Sequence, residues 1–73
     1  MRTFLSSQLK RRIQQDPRSL GALAAFANLN YSVLSTLMRD QIGIGPVVRP
    51  KIVTLGRALG LAESECFREV RRG

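Results

Sequence analysis

The sequence predicts an all-α fold, a compact bundle of about five short helices in a single domain spanning residues 1–73. Three observations predict it. Apolar residues recur at helical spacing, as at Leu5, Leu9 and Ile13 or at Leu34 and Leu37. Residues that begin helices (Thr3, Ser19, Asn30 and Pro50) stand just ahead of apolar stretches. Hydrophobic residues make up 44% of the chain, with only one cysteine, Cys66, and no histidine. No internal disulfide or structural metal site is therefore expected, so packing must supply the stability, with dimerisation as a further source.

The first predicted helix runs from Phe4 to Gln15, capped by Thr3, with Leu5, Leu9 and Ile13 on one face and Lys10, Arg11 and Arg12 largely off it. Asp16-Pro17 ends it, because a residue before proline avoids the α region. Ser19 caps a second helix from Leu20 to about Ala27. Its small residues Gly21, Ala22, Ala24, Ala25 and Ala27 suit close approach of a neighbouring helix, Ala24 closest, while Leu23 and Phe26 supply core contacts. Asn28 is placed at the left-handed position after this helix. Leu29 plugs the core from the turn, and Asn30 caps a third helix from Tyr31 to about Arg39. On that helix Leu34 and Leu37 face inward, leaving Tyr31, Ser32, Ser35 and Thr36 on the other side.

Residues 40–49 read as a loop, its glycines and proline opposing a helix and its Ile and Val residues inviting contact with the core or a partner. Pro50 fits the first position of a fourth helix ending near Leu59, with Ile52, Leu55 and Leu59 inward and Gly56 where close packing requires it. Gly60 ends that helix. A fifth is predicted from Glu63 to Arg71, with acids in its first turn and arginines in its last, complementing the helix dipole. Its apolar residues Cys66, Phe67 and Val70 make it the candidate dimer surface.

The net charge of +7 is unevenly spread. Through Leu61 nine Lys and Arg face only Asp16 and Asp40, whereas the rest of the chain holds three arginines against three glutamates. A polyanionic partner is favoured, nucleic acid ahead of an anionic membrane. The outward face of the third helix carries hydroxyls, an aromatic ring and an amide cap but no acid, so it can meet base edges and phosphates without repulsion. Solvated faces more often use Glu, Lys and Gln, which favour helix more than Ser and Thr do. Arg49 and Lys51, beside the amides that open the fourth helix, form a candidate phosphate site.

Other classes fare worse. The longest near-apolar run, Leu20 to Leu29, is too short to span a bilayer, and no signal peptide is visible, which predicts a soluble, cytoplasmic protein. With no histidine, no paired carboxylates and no base beside Ser or Cys66, an enzyme is not expected and no cofactor is implied.

The pattern Leu23-Ala24-x-x-Ala27-Asn28-Leu29-Asn30-x-x-x-Leu34-x-x-Leu37 resembles the helix-turn-helix of the lambda-repressor-like family, which includes phage repressors and Cro-type proteins. Downstream, Ile52-x-x-Leu55-Gly56-Arg57-Ala58-Leu59-Gly60-Leu61 resembles the fourth helix of that family, and the likeness spans about Leu9 to Phe67. It implies a bacterial or phage transcriptional regulator, most simply a repressor. The N-terminal end of the third helix would enter the major groove of double-stranded DNA, with a homodimer on a palindromic site. By position, Tyr31, Ser32 and Thr36 become base readers. Ser19, Asn30, Ser35 and Arg39 become backbone contacts or their supports, joined by Arg49 and Lys51. The chain departs from the family at Leu20, where a phosphate-holding glutamine is usual, at Asn28 and Asp40, where glycine is usual, and in a longer loop before the fourth helix. The alternative is a protein-interaction module on the same fold, such as an antitoxin, using Ile42 to Val48.

Overall fold

The computed structural model describes residues 2–71. Strand β1 (Arg2–Leu5) opens the chain, followed by helices α1 (Ser7–Gln15), α2 (Leu20–Phe26), α3 (Tyr31–Met38) and α4 (Arg49–Ala58). A short 3₁₀ turn (Glu63–Glu65) then leads to strand β2 (Phe67–Val70). The fold is mostly helical but not all-α, since two of the predicted helices are altered by one small sheet.

β1 and β2 pair antiparallel, with Arg2 opposite Val70, Thr3 opposite Glu69, Phe4 opposite Arg68 and Leu5 opposite Phe67. The first helix therefore does not begin at Phe4, and Ser6 rather than Thr3 caps it, accepting from the Leu9 amide at 3.1 Å. Ser6 also joins the two ends of the chain: its amide donates to the Cys66 carbonyl at 2.9 Å, and its hydroxyl donates to the Glu65 carbonyl. The fifth helix is replaced by the 3₁₀ turn and β2. Aromatic and β-branched residues in both segments suit strands, but the partner that satisfies each backbone lies at the other end of the sequence, where no local periodicity reveals it. On the far edge of β1, the Ile44 amide donates to the Thr3 carbonyl at 2.8 Å, so the 40–48 loop is partly pinned to the sheet.

The helical middle follows the local signals closely. Asp16 ends α1 in extended geometry, as a residue before proline should. α2, α3 and α4 each end in a left-handed residue, Asn28 (φ 57°), Asp40 (φ 55°) and Gly60 (φ 86°). At each, the amide of the left-handed residue and the amide after it turn back onto the last helical turn, as in Asn28 to the Ala25 carbonyl at 3.1 Å and Leu29 to Ala24 at 2.7 Å. This paired closure satisfies carbonyls that a helix end otherwise leaves open. Arg12 adds a donor at the end of α4, reaching the Leu59 carbonyl at 3.2 Å.

The core gathers Leu5, Leu9 and Ile13 with Leu23, Ala24 and Ala27, Leu34 and Leu37, Ile52 and Leu55, and finally Leu59, Leu61 and Cys66. Phe26, expected inside, is 51% exposed. Leu23, Ala24 and Ala27 already fill the inner stripe of α2, and Phe26 falls well round the helix from it. Gly56 meets its expectation of close packing: a Cβ there would overlap the Cys66 sulfur. Cys66 is fully buried and its thiol donates to the Ala62 carbonyl at 3.3 Å; the missing side chain of Gly56 is what lets α4 lie against it. Among the described residues no single helix is long and apolar enough to cross a membrane.

Candidate nucleic-acid interface

Between α2 and α3 the chain turns by 114° across four residues, Ala27 to Asn30. Both helices start on capping side chains. Ser19 Oγ accepts from the Ala22 amide at 3.1 Å, and Asn30 Oδ1 accepts from the Ser32 amide at 2.8 Å. The two first turns are brought together at Gly21, where an added Cβ would sit 3.8 Å from the Tyr31 ring. Gly21, expected to admit a neighbouring helix, lies beside the exposed first residue of α3.

The outer face of α3 holds the expected readers. Tyr31 is 57% exposed, Ser32 is exposed, and Thr36 is half-exposed. The Thr36 hydroxyl donates back to the Ser32 carbonyl at 2.6 Å, leaving outward only a methyl group and oxygen lone pairs. The Asn30 amide nitrogen keeps its donors, because only its oxygen is used in the cap. Ser35 is half-buried, and Arg39 lies exposed at the end of the helix with Nε 3.4 Å from the Ser35 carbonyl.

The nearest acids in sequence are both neutralised by partners. Asp16 is clasped by Arg18 at 2.9 Å, and the hydrogen bonds from Arg18 hold its carboxyl below the usual value. Arg18 in turn lies over the exposed Phe26 ring, 5.8 Å from its centre. Asp40 receives Lys10 from α1 at 2.7 Å and Arg68 from β2 at 2.9 Å, both on Oδ2. Uncancelled negative charge is thus kept off this corner, and a polyanion meets no repulsion there.

The second expected patch is not assembled as the sequence suggested. Pro50 is the second residue of α4, and a turn over residues 46–48 precedes the helix, with the Arg49 amide donating to the Gly45 carbonyl at 3.0 Å. The Arg49 amide is therefore engaged, not open to an anion. Its guanidinium stacks 4.2 Å above the Phe67 ring, in a cleft shared with Glu63, Ser64 and Glu69. An arginine held by an aromatic face and flanked by acids is a strut between α4 and β2. Lys51, half-buried, makes no ion pair among the described residues and remains the better phosphate candidate of the two.

The three residues assigned to a dimer surface also separate. Cys66 is enclosed in the core, so it offers nothing to a partner. Burial, reinforced by Glu65 and Glu63 nearby, pushes its thiol above the ordinary value. Phe67 is half-buried beneath Arg49, while Val70 is 39% exposed. In the 42–48 segment, Ile44 and Val48 pack on the core, whereas Ile42 (42%) and Val47 (74%) face outward. Arg18, next to the corner, was missed by the sequence reading and Phe26 was expected in the core; the hint to their contact was an arginine two residues after the helix-ending aspartate. Compared with protein families, with curated proteins and with solved structures, the chain has no match in any of the three.

Proposed function

We propose that this protein is a sequence-specific regulator of transcription that binds double-stranded DNA with α2 and α3 as a lambda-repressor-like helix-turn-helix, acting in the cytoplasm as a repressor. The observation that carries the reading is the α2–α3 corner. Its 114° turn over four residues lies in the range of helix-turn-helix units, and the outward face of α3 is hydroxyl-rich and free of acids. In this reading α3 enters the major groove by its N-terminal end, with Tyr31, Ser32 and Thr36 over base edges. Asn30 and Ser35, with Arg39, meet the backbone, Ser19 supports the start of α2, and Lys51 adds a more distant phosphate contact.

A homodimer on a palindromic site completes the proposal. Its surface is drawn from β2, where Val70 is exposed and Phe67 partly so. The test is selection of bound sequences from random duplex DNA at roughly physiological salt, which suppresses purely electrostatic attraction. A two-fold symmetric motif is the expected result. Sequence-neutral binding that fades with added salt would overturn the reading. The exposed Ile42 and Val47 favour the second reading, a protein-binding module using the 42–48 loop. A partner captured by the wild type and released by Val47→Asp, with no DNA motif recovered, would support it instead.

A further inference from the structure

We infer that Thr36 makes the protein prefer an A·T pair at the base it faces, by packing its methyl group on the 5-methyl of thymine; this rests on the DNA-binding reading above. Hydrogen-bond bookkeeping at the side chain leads there. The only proton Thr36 can donate is committed to the Ser32 carbonyl at 2.6 Å. What remains is a methyl group and an accepting oxygen. The major-groove edge of guanine offers two acceptors, N7 and O6, and needs donors, so Thr36 gives guanine nothing. Cytosine offers its N4 donor but no methyl. An A·T pair alone presents both the adenine N6 donor and a methyl group, one for each thing Thr36 can still do.

No side chain between Tyr31 and Thr36 offers the paired donors that would favour guanine over that choice, and the Asn30 amide lies more than one helical turn away. Between Tyr31 and Thr36 the residues are Ser32, Val33, Leu34 and Ser35, with no amide or guanidinium side chain able to grip guanine. Arg39, one turn further on, has its Nε directed at the Ser35 carbonyl at 3.4 Å and lies at the end of α3 farther from the groove.

The experiment uses the full chain and the sites recovered by selection. Each thymidine of a half-site is replaced in turn by deoxyuridine, which deletes only the 5-methyl group, and affinity is measured for wild type, Thr36→Ser and Thr36→Val. At one thymidine per half-site, deoxyuridine should weaken the wild type about fourfold, the value of burying one methyl group. Thr36→Ser, which keeps the hydroxyl but not the methyl, should bind both bases equally at that position. Thr36→Val, which keeps a methyl and serves even if Thr36→Ser fails to fold, should still discriminate. Selective binding that is indifferent to deoxyuridine at every position overturns this inference and leaves the DNA-binding reading standing. So does discrimination that survives in Thr36→Ser or vanishes in Thr36→Val. Absence of any selective binding by the wild type overturns both.

Discussion

The α2–α3 corner and the β1–β2 closure hold their shapes by different means. The corner is made of neighbours in sequence: two side-chain caps, a left-handed asparagine and a four-residue turn, with the tyrosine that opens α3 beside the glycine of α2. Its outer face is exposed and loosely tied. The closure joins the two ends of the chain through a four-residue strand pair, the bonds of Ser6, and a sulfur wedged against Gly56. Its inner side, at Leu5, Ser6 and Cys66, is buried, and no atom can be added at Gly56 without a clash, although β2 itself lies largely at the surface. An exposed surface can change its side chains without disturbing the fold, whereas a seam that fixes the fold cannot. Mutations can separate the two plans.

The largest effect is expected in the closure. Gly56→Ala drives a Cβ into the Cys66 sulfur, which is fully buried and has nowhere to retreat. The overlap should cost about 3 kcal/mol, the upper end for overpacking, against a gain of at most about 1 kcal/mol from alanine's helix preference. Cys66→Ala removes the offending atom. The double variant should therefore melt well above Gly56→Ala alone, a strong coupling between two contacting sites. Additive losses in urea unfolding would mean that the seam is plastic and that the comparison fails.

At the corner the signs invert. Tyr31→Ala should leave the unfolding free energy within about 0.5 kcal/mol of the wild type, as for an exposed surface substitution. The same change should weaken binding to a selected DNA site by about 1–3 kcal/mol. A Tyr31→Ala protein that melts early but binds normally would make the ring a structural element, and the corner would no longer differ from the closure. Lys51→Ala offers the control: it should weaken all DNA sequences alike and lower the salt slope by about one.

Asn28 tests whether the corner really is set by local conformation. At φ 57° an alanine is strained, so Asn28→Ala should cost about 1 kcal/mol. Asn28→Gly should fall within about 0.5 kcal/mol of the wild type, because relief of strain offsets the entropy of a freer unfolded chain. Asp40 has nearly the same backbone angle but also holds Lys10 and Arg68. Asp40→Gly should therefore gain less than Asn28→Gly, the difference being the two partly exposed ion pairs, on the order of 1 kcal/mol. Equal responses at the two positions would show that those pairs add nothing.

That division also explains what was legible in the sequence. Ser19, Asn28, Asn30, the Asp16-Pro17 stop and Gly60 act on residues within one helical turn, so their chemistry is visible in the order of residues alone. Leu9, Ile13, Leu34, Leu37, Ile52 and Leu55 reveal themselves by spacing. The strands were not legible, because Arg2–Leu5 and Phe67–Val70 are each only four residues long and acquire their reason to be extended only from each other. For the same cause Ser6 was passed over in favour of Thr3. The reading of Arg49 failed for a related reason: its partner, Phe67, was expected on a helix, and placing it on a strand brought the ring under the guanidinium. Tyr31, Ser32 and Thr36 do reach the surface as expected, since a helix capped at Asn30 with Leu34 and Leu37 inside can point them nowhere else.

The smallest effect concerns pH, and it should appear only on the closure side. The Cys66 thiol is held protonated by burial, with Glu65 and Glu63 adding to the cost of a thiolate, so its folded value lies above the ordinary 9.0. In the unfolded chain the same thiol ionises at its ordinary value. As pH rises past that point, the unfolded state releases a proton that the folded state retains. The stability fully present below the unfolded value is therefore progressively lost until the folded value is passed. Melting temperatures measured from neutral to alkaline pH should fall more for the wild type than for Cys66→Ala. Over the same range the native thiol should react with a water-soluble disulfide reagent only as fast as the protein opens. A wild type and Cys66→Ala that decline in parallel, together with rapid labelling of native Cys66, would mean that the sulfur is accessible to solvent and that the closure is no tighter than the corner.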